Sequence, residues 1–356
     1  MIRKILFDHS IFLHQKIGGI SNYIFNLNKN LNKIGLKSVI FAPISISNLF
    51  SKKNKHIINF YNLKSLPLFT TRISYLINNI VTLIYIFLKK PDLVHLSYYN
   101  NFLIKFIKIP YVLTIYDLIH ERLNIHQKKF DKRFPIQNAK KIICISNQTK
   151  NDLIKFYKVK KNKIKVIYLG INQQKILYQR KKKYIIYVGA REGYKNFNNF
   201  ILAYSRSEFL KKNYKILSFG HKDFTDKEKN FFKNLKILNK ISYISGDYTR
   251  LNKIYSQSSL LVSPSLLEGF GLPPLEAMRC GCPVATSNIK IFREIYGNAS
   301  IFFNPKNVTD IKNKIEKILK STSLQKRQIA KGYKKFKEFK WSKCAVQTLN
   351  VYKSLN

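Results

Sequence analysis

The sequence predicts an α/β protein made of two doubly wound, Rossmann-like domains. Three observations carry this. Short apolar runs alternate with amphipathic helical stretches along the chain. A polar, basic segment at 173–183 interrupts that alternation. Glycine-bearing loops follow strand-like runs at His9–Gly19, Gly189–Asn196 and Leu266–Leu272. A chain of 356 residues has room for two or three domains, each with its own core.

Ile2–Asp8 reads as a first strand, followed by a loop ending in Gly18-Gly19. Ile20–Lys33 has apolar residues Ile20, Ile24, Leu27 and Leu31 at helical spacing, and Ser38–Ala42 is the next strand. The loop lacks GxGxxG, so a dinucleotide site is not supported. Gly18 and Gly19 allow either close approach of a ligand or a plain tight turn. Residues 43–72 are irregular. The apolar segment Ile73–Leu88, interrupted by Asn78-Asn79, is expected to be too short to span a bilayer. It reads as a core-facing helix first and a membrane-surface helix second. Strands follow at 92–96, 111–115, 141–146 and 164–168, with a helix over 148–157 opened by Ser146-Asn147. Domain one is expected over 1–172, a linker over 173–183, domain two over 184–340, and a C-terminal helix over 341–356 packing back on the first domain. In the second half, strands are expected at 184–188, 215–219, 241–244, 260–262, 283–286 and near 300–303. Helices are expected at 196–210, 226–238, 249–257 and 308–320. The tail carries an aromatic stripe, Tyr333, Phe336, Phe339 and Trp341, which reads as a packing face.

The charge is the outlying bulk property: 65 Lys+Arg against 18 Asp+Glu, a net +47. Lys, Asn and Ile are abundant together, which points to A/T-rich codon bias, with attraction to anionic membrane as a consequence. No zinc-finger spacing, RNP-like string or basic region with heptads supports specific nucleic-acid binding. Cys144, Cys280, Cys282 and Cys344 form no disulfide framework and no zinc spacing. They read as core or loop residues in a reducing compartment, and the N-terminus lacks signal-peptide design.

The richest stretch is Ser263–Pro283, SPSLLEGFGLPPLEAMRCGCP. Leu260–Val262 is a buried strand, Leu266–Leu272 is irregular, and Pro273-Pro274 open a helix that Gly281 and Pro283 stop. Glu268 is thus placed in the loop and Glu276 in the first turn of the helix behind it. Carboxylates accept sugar hydroxyls and a helix N-terminus attracts phosphate, so a ligand with both is the functional reading; a capped turn is the plain one. Arg191 and Lys195 flank a turn at another strand end, where two cations can neutralise a pyrophosphate.

These strings resemble the retaining nucleotide-sugar-dependent glycosyltransferases of family four, which have the GT-B fold of two Rossmann-like domains facing across a cleft. The resemblance lies in YVGAREGYKNF, in Ser245–Asn288 with its E-x7-E pattern, and in FREIYGNASIFFNP, and more weakly in HQKIGGISNYIFNL, DLVHLSYY, TIYDLIHE, KIICISNQTKNDL and KVIYLGIN. The wording is most similar to bacterial mannosyltransferases of polysaccharide and O-antigen assembly. The resemblance implies Glu276 on the nucleotide ribose and Glu268 on the donor sugar near the reacting centre. It implies backbone N–H groups of Gly269, Phe270, Gly271 and Leu272 on sugar and phosphate oxygens. Arg191 and Lys195 would bind the diphosphate, Gly18 and Gly19 would approach it, and Tyr248 would lie near the base. Family members often carry a His where this chain has Tyr116, so Tyr116, Asp117 and His120 compete for the sugar-facing role in domain one. The implied reaction moves a hexose, mannose from GDP-mannose, to a glycan or lipid-linked acceptor with retention. A UDP- or dTDP-sugar donor is the alternative within the fold, and a nucleic-acid-binding protein is the alternative outside it. No resident cofactor is expected, and the lack of a DxD string fits a metal-independent site. The expected place is the cytoplasmic face of the membrane, held peripherally.

Overall fold

A computed structural model describes the chain except residues 1, 17, 51–53, 126–131, 175, 177, 178, 180, 221 and 356, and the side chains of 68 and 69. The chain divides into two compact units. Unit one is Met1–Gly170 with Phe339–Asn356, and unit two is Ile171–Glu338.

In chain order unit one contains β1 (Lys4–Phe7), α1 (Gly19–Lys33), β2 (Lys37–Phe41), β3 (Ile44–Ser45), β4 (Ile57–Ile58), β5 (Tyr61–Asn62) and α2 (Leu68–Lys89). Then come β6 (Leu93–Leu96), α3 (Asn101–Phe106), β7 (Tyr111–Ile115), α4 (Ile119–Arg122), α5 (Arg133–Asn138), β8 (Lys141–Cys144), α6 (Asn147–Tyr157) and β9 (Ile164–Val166). Seven strands form a parallel sheet in the order β4-β2-β1-β6-β7-β8-β9. β6 and β7 are buried at every position, as strands covered on both faces must be. α1 buries Tyr23, Ile24, Leu27 and Leu31 at helical spacing, and Gln15 caps its start by accepting the Ser21 N–H at 3.2 Å.

Unit two contains β10 (Tyr184–Val188), α7 (Phe197–Ser205), α8 (Glu208–Asn213), β11 (Lys215–Phe219), α9 (Asp226–Asn234), β12 (Ile241–Ile244), α10 (Tyr248–Gln257), β13 (Leu260–Ser263) and α11 (Leu272–Arg279). It ends with β14 (Val284–Ser287), α12 (Lys290–Tyr296), β15 (Ile301–Phe303), α13 (Val308–Leu319) and α14 (Thr322–Phe336). Six strands run parallel in the order β12-β11-β10-β13-β14-β15. Tyr187, Phe197, Phe200 and Phe232 form an aromatic centre in its core. α14 packs on α11 through Gly332, where an added Cβ would stand 3.0 Å from Met278 Cγ.

The last helix, α15 (Trp341–Lys353), completes unit one. Its Tyr352 hydroxyl bonds His95 Nδ1 at 2.5 Å, and His95 Nε2 reaches Thr114 Oγ1 at 2.8 Å. At Gly170 a Cβ would lie 2.6 Å from the Trp341 backbone, so only glycine admits this approach.

Several expectations are corrected. The helix foreseen over 196–210 is two, because Ser207 caps a new one by accepting the Leu210 N–H at 3.0 Å. α9 stops at Asn234, and α12 was not foreseen. The aromatic stripe of the tail is split: Phe336 is buried in unit two, while Phe339 and Trp341 belong to unit one. The helix expected over Ile73–Leu88 runs from Leu68 to Lys89, and Asn78-Asn79, which interrupt the apolar run, lie within it. Its stretch Thr70–Lys89, 20 residues, is long and apolar enough to cross a membrane by length and composition, contrary to the expectation that it is too short. It faces the core on one side only: Val81, Leu83, Tyr85 and Ile86 pack on the unit-one core, while Ile73, Leu76, Ile77, Ile80, Ile84, Phe87 and Leu88 are exposed.

Candidate active site

In each sheet the strand order reverses once, and in parallel sheets a ligand crevice opens at that point, outside the carboxyl ends of the strands. In unit two the reversal lies between β10 and β13. The loop after β10 carries Gly189 to Asn196, and the loop after β13 carries Pro264 to Gly271. The loops are stitched together: the Leu266 N–H donates to Tyr194 O at 2.7 Å, and Asn196 Nδ2 donates to Pro264 O at 3.0 Å. Asn196 holds a left-handed backbone, φ 56°, which asparagine tolerates well.

Across this crevice Lys195 Nζ donates to Glu268 Oε1 at 2.7 Å, with side chains 23% and 16% exposed. Ser265 Oγ donates to the same oxygen at 2.9 Å. Two sequence-predicted residues are therefore in direct contact, a cation for phosphate and an acceptor for hydroxyls.

Glu276 lies on α11 one turn further along than expected: the first turn, starting at Leu272, holds no acidic residue. Tyr255 donates to its Oε2 at 3.4 Å, and Arg279 and Tyr248 are its other polar neighbours. Burial raises its carboxyl pKa, and Arg279 with the two phenols only partly offsets this. Arg279 is itself 2% exposed; it donates to Asn252 Oδ1 at 2.5 Å, to Tyr248 Oη at 3.3 Å and to Gln174 O at 3.1 Å. Tyr248 opens α10, whose cap is Asp247, accepting the Arg250 N–H at 2.8 Å.

The loop joining the two carboxylates is shaped by Gly271 and Tyr296. Gly271 has φ 86°, and a Cβ there would lie 2.2 Å from Tyr296 Oη and 2.7 Å from Phe292 Cε1. Tyr296 Oη donates to Gly271 O. After burial, the charges of Glu268 and Glu276 are what raise the Tyr296 phenol pKa, so both carboxylates stand in one neighbourhood around this ring. Phe270 is buried and anchors the loop, and Leu272 begins α11 directly behind it. Gly269 is the partly exposed tip.

Arg191 is placed differently from Lys195. Its Nε and Nη2 donate to Glu228 at 2.6 and 3.2 Å, and Nη1 and Nη2 to the carbonyls of Lys222 and Asp223 at 2.9 and 2.8 Å. Glu228 also closes a capping box with Thr225. Burial acts to raise the Glu228 pKa, but Arg191 and Thr225 outweigh it and hold the carboxyl low. The guanidinium thus ties the β10 loop to the start of α9.

Unit one holds the remaining predicted residues. Gly18 precedes α1 in an extended backbone, with the Gln15 amide where its Cβ would be; Gly19, the first helical residue, has open space there. Tyr116 is buried, donates to Ser97 O at 3.2 Å, and stacks edge-on with Tyr23. Asp117 accepts the Ile119 N–H at 3.2 Å in a local turn. His120 lies half-buried in α4. Its neighbour Glu121 accepts from Lys132 at 3.0 Å and Tyr157 at 2.7 Å. The reversal point of this sheet, between β1 and β6, is filled by Asp8, which accepts from Ser97 N, Ser10 Oγ and Asn100 Nδ2 at 2.5, 2.5 and 3.1 Å.

Sequence reasoning missed Tyr255 and Arg279 as neighbours of Glu276, Asn252 as a partner of Arg279, and Tyr296. Arg279 had one signal, a basic residue three positions after Glu276 and so on the same helix face. The others come from distant elements.

Comparison with known proteins agrees with this geometry. Residues 171–335 match the family described as glycosyl transferases group 1, and residues 17–175 match glycosyltransferase family 4. The O-antigen chain mannosyltransferase RfbU of Salmonella typhimurium is 29% identical over 180 residues, 50% of this chain and 50% of that protein. An uncharacterized glycosyltransferase of Methanocaldococcus jannaschii is 28% identical over 100% of this chain and 99% of its own length. The serotype-specific mannosyltransferase WbdA of Escherichia coli is 41% identical over 92 residues, 26% of this chain and 11% of that protein. The matches to the two mannosyltransferases thus reach half or less of those relatives' length. Among solved structures, the sucrose-phosphate synthase of Thermosynechococcus elongatus superposes with a TM-score of 0.82 at 17% identity, covering 100% of this chain and 99% of that one. Anabaena HepE in complex with UDP and glucose gives 0.76 at 13% identity, covering 99% and 100%. At such identities these likenesses speak for the fold alone.

Proposed function

This chain belongs to the group 1, family 4 glycosyltransferases and has their GT-B fold, and on that premise we propose that it transfers a hexose, mannose from GDP-mannose, to a glycan or lipid-linked acceptor in cell-surface polysaccharide synthesis. The observation that carries the proposal is the Lys195–Glu268 pair across the unit-two crevice, beside the half-buried Glu276. The mannose assignment is supported by the names of the relatives RfbU and WbdA.

In this reading Glu276 accepts the ribose hydroxyls of the nucleotide, with Tyr248 at the base side. A doubly charged diphosphate attracts Lys195 more strongly than one carboxylate does, so donor binding draws the ammonium from Glu268 to the leaving group. Glu268 then accepts hydroxyls of the donor sugar. The bond from the anomeric carbon to the diphosphate breaks with its electron pair on oxygen, where Lys195 and the amides opening α11 stabilise the developing charge. The acceptor oxygen bonds the anomeric carbon from the same face, giving retention, and its proton passes to a phosphate oxygen. The reaction needs no resident cofactor. Arg191 holds the loop that carries Lys195. A lipid-linked acceptor places the protein peripherally on the cytoplasmic face of an anionic membrane.

The test is incubation with labelled GDP-mannose, UDP-glucose and a dTDP-sugar in the presence of lipid-linked acceptor, with the product anomer read by NMR. Mannose transfer with retained configuration is expected. Absence of transfer and hydrolysis from every donor, with Glu276→Ala binding nucleotide as well as the parent, would overturn the reading. Transfer from UDP-glucose alone would replace the donor and keep the site.

A further inference from the structure

Helix α2 of unit one holds to the fold by a mixed inner face and turns an apolar stripe outward. Val81, Leu83, Tyr85 and Ile86 pack half-buried on the unit-one core, Tyr85 stacking on Phe41, while the fully buried ones among its described side chains are Ser74, Asn78, Asn79 and Thr82, all polar. Asn78 exchanges both of its amide bonds with the backbone of Ile44, at 2.9 and 2.8 Å. Asn79 accepts from Asn100 at 3.0 Å, and Tyr75 donates to Asn100 at 2.8 Å. The opposite face is a continuous stripe of Ile73, Ile77, Ile80, Ile84, Phe87 and Leu88, between 42% and 78% exposed. Their spacing of three and four residues keeps them on one side through the whole helix. A helix on a water-facing domain normally buries such a stripe, and here the specific inner bonds fix the helix with that stripe outward.

Charge identifies the occupant. In the first 116 residues the only acidic side chains are Asp8, which is buried, and Asp92, which accepts the N–H groups of Arg3 and Lys4. Exposed Arg72 stands at the start of the stripe and exposed Lys89 and Lys90 at its end. On α3, which packs beside α2, exposed Phe106 is bracketed by exposed Lys105 and Lys108. An apolar stripe with cations around it, and with Asp92, the exposed carboxylate of this stretch, already held by two backbone N–H groups, matches a surface that offers acyl chains beneath phosphate headgroups. A second copy of this chain fits poorly, since antiparallel pairing of the stripes sets Arg72 against Lys89 and Lys90. Spanning the bilayer would strand Asn78 and Asn79 away from the partners that hold the helix.

We propose that α2, with the exposed edge of α3, is the surface by which unit one lies on an anionic lipid bilayer, its apolar stripe in the interface and its terminal cations on headgroups. The proposal deepens the reading of a membrane-linked acceptor and is tested apart from it. The full chain is co-sedimented with vesicles of phosphatidylcholine, with and without phosphatidylglycerol. Binding to the anionic vesicles should be about tenfold or more stronger and fall with salt. The double variant Ile80→Glu/Ile84→Glu should lower it about tenfold or more, and Lys89→Glu/Lys90→Glu should remove most of the dependence on anionic lipid. Circular dichroism and melting temperature check that the variants fold. Phe87→Trp supplies a reading that needs no disruptive change: its emission should shift to the blue on anionic vesicles and be quenched by brominated acyl chains. The proposal is overturned by unchanged binding of a folded Ile80→Glu/Ile84→Glu variant, by an unshifted Phe87→Trp spectrum, by a dimer that Ile84→Glu dissolves, or by resistance to carbonate extraction. Sugar transfer to a detergent-dispersed acceptor is measured on the same preparations. Lost docking with retained transfer separates the surface from the reaction, and retained docking without transfer overturns only the transferase reading.

Discussion

The two sheets reverse strand order at equivalent places, yet the two crevices are furnished with different chemistry. In unit one the carboxylate of Asp8 is buried and saturated by Ser97, Ser10 and Asn100, which lock β1 to β6. In unit two the loops after β10 and β13 meet through Lys195 and Glu268, both partly open to water. A partly exposed ion pair is worth about 0–1 kcal/mol, whereas removing one partner from a buried polar network costs several times that. The first crevice is therefore a structural joint and the second a place where partners can be exchanged for a ligand. A topological reversal marks where a site can be; the exchangeability of its polar groups decides whether it is one.

The largest effect that could break this contrast is catalytic. Lys195→Ala should lower kcat by about 10²–10³-fold, the usual loss on removing one stabiliser of a developing oxyanion. Asp8→Asn should instead lower the melting temperature while leaving nucleotide affinity unchanged. If steady-state kinetics and calorimetry assign these effects the other way round, the contrast fails.

The second test uses acid. Burial depresses the pKa of His9 to about 4, against the opposing pull of Asp8, and that of His95 to about 3. The unfolded chain takes up protons on these rings near pH 6.5, so their contribution is complete above that value and is lost as pH falls toward the folded values. By pH 5 this amounts to roughly 2 kcal/mol for each ring. Proteolysis or hydrogen exchange at pH 5 should then open unit one before unit two, and His95→Gln should reduce the difference.

A smaller effect sharpens the nucleotide side. Because burial raises the Glu276 pKa, the folded protein holds a proton there that the unfolded chain has already released. The ligand-free protein loses stability as pH rises through that window, while nucleotide binding gains from the ionised form. Glu276→Gln should bind nucleotide about tenfold more weakly at neutral pH, and the gap should close on acidification, as titration calorimetry can follow. The smallest effect on the reaction itself belongs to Arg191. Arg191→Gln should cost stability of about 1–3 kcal/mol through the loss of its bonds to Glu228 and two carbonyls, and should reduce kcat less than Lys195→Ala does.

How much of this was legible in the sequence follows from the range of the interactions. The alternation of strands and helices, the loop position of Glu268 and the helix position of Glu276 are local, and the spacing of glycines and prolines carries them. The partner of Arg191 is Glu228, 37 residues on, and nothing near Arg191 announces it. Tyr296 reaches back to Gly271 from a helix that the reading did not foresee. Helix α2 shows a different failure. Its periodicity was visible, but periodicity gives a stripe without saying which side faces protein; Ser74, Asn78, Asn79 and Thr82 lie at the same helical spacing, and of these the Asn78-Asn79 pair was read as an interruption.

Unit one is assembled from the two ends of the chain, with all of unit two between them. During synthesis unit two can close as soon as its own residues have left the ribosome, while unit one must wait for α15 to supply Trp341 and Tyr352. Until then Tyr23 and His95 are exposed on a half-built sheet, and the outward stripe of α2 is already available. If α2 docks on lipid as proposed, a nascent chain in that state would meet the bilayer before its first domain is finished, and the order of emergence would act alongside the folded surface.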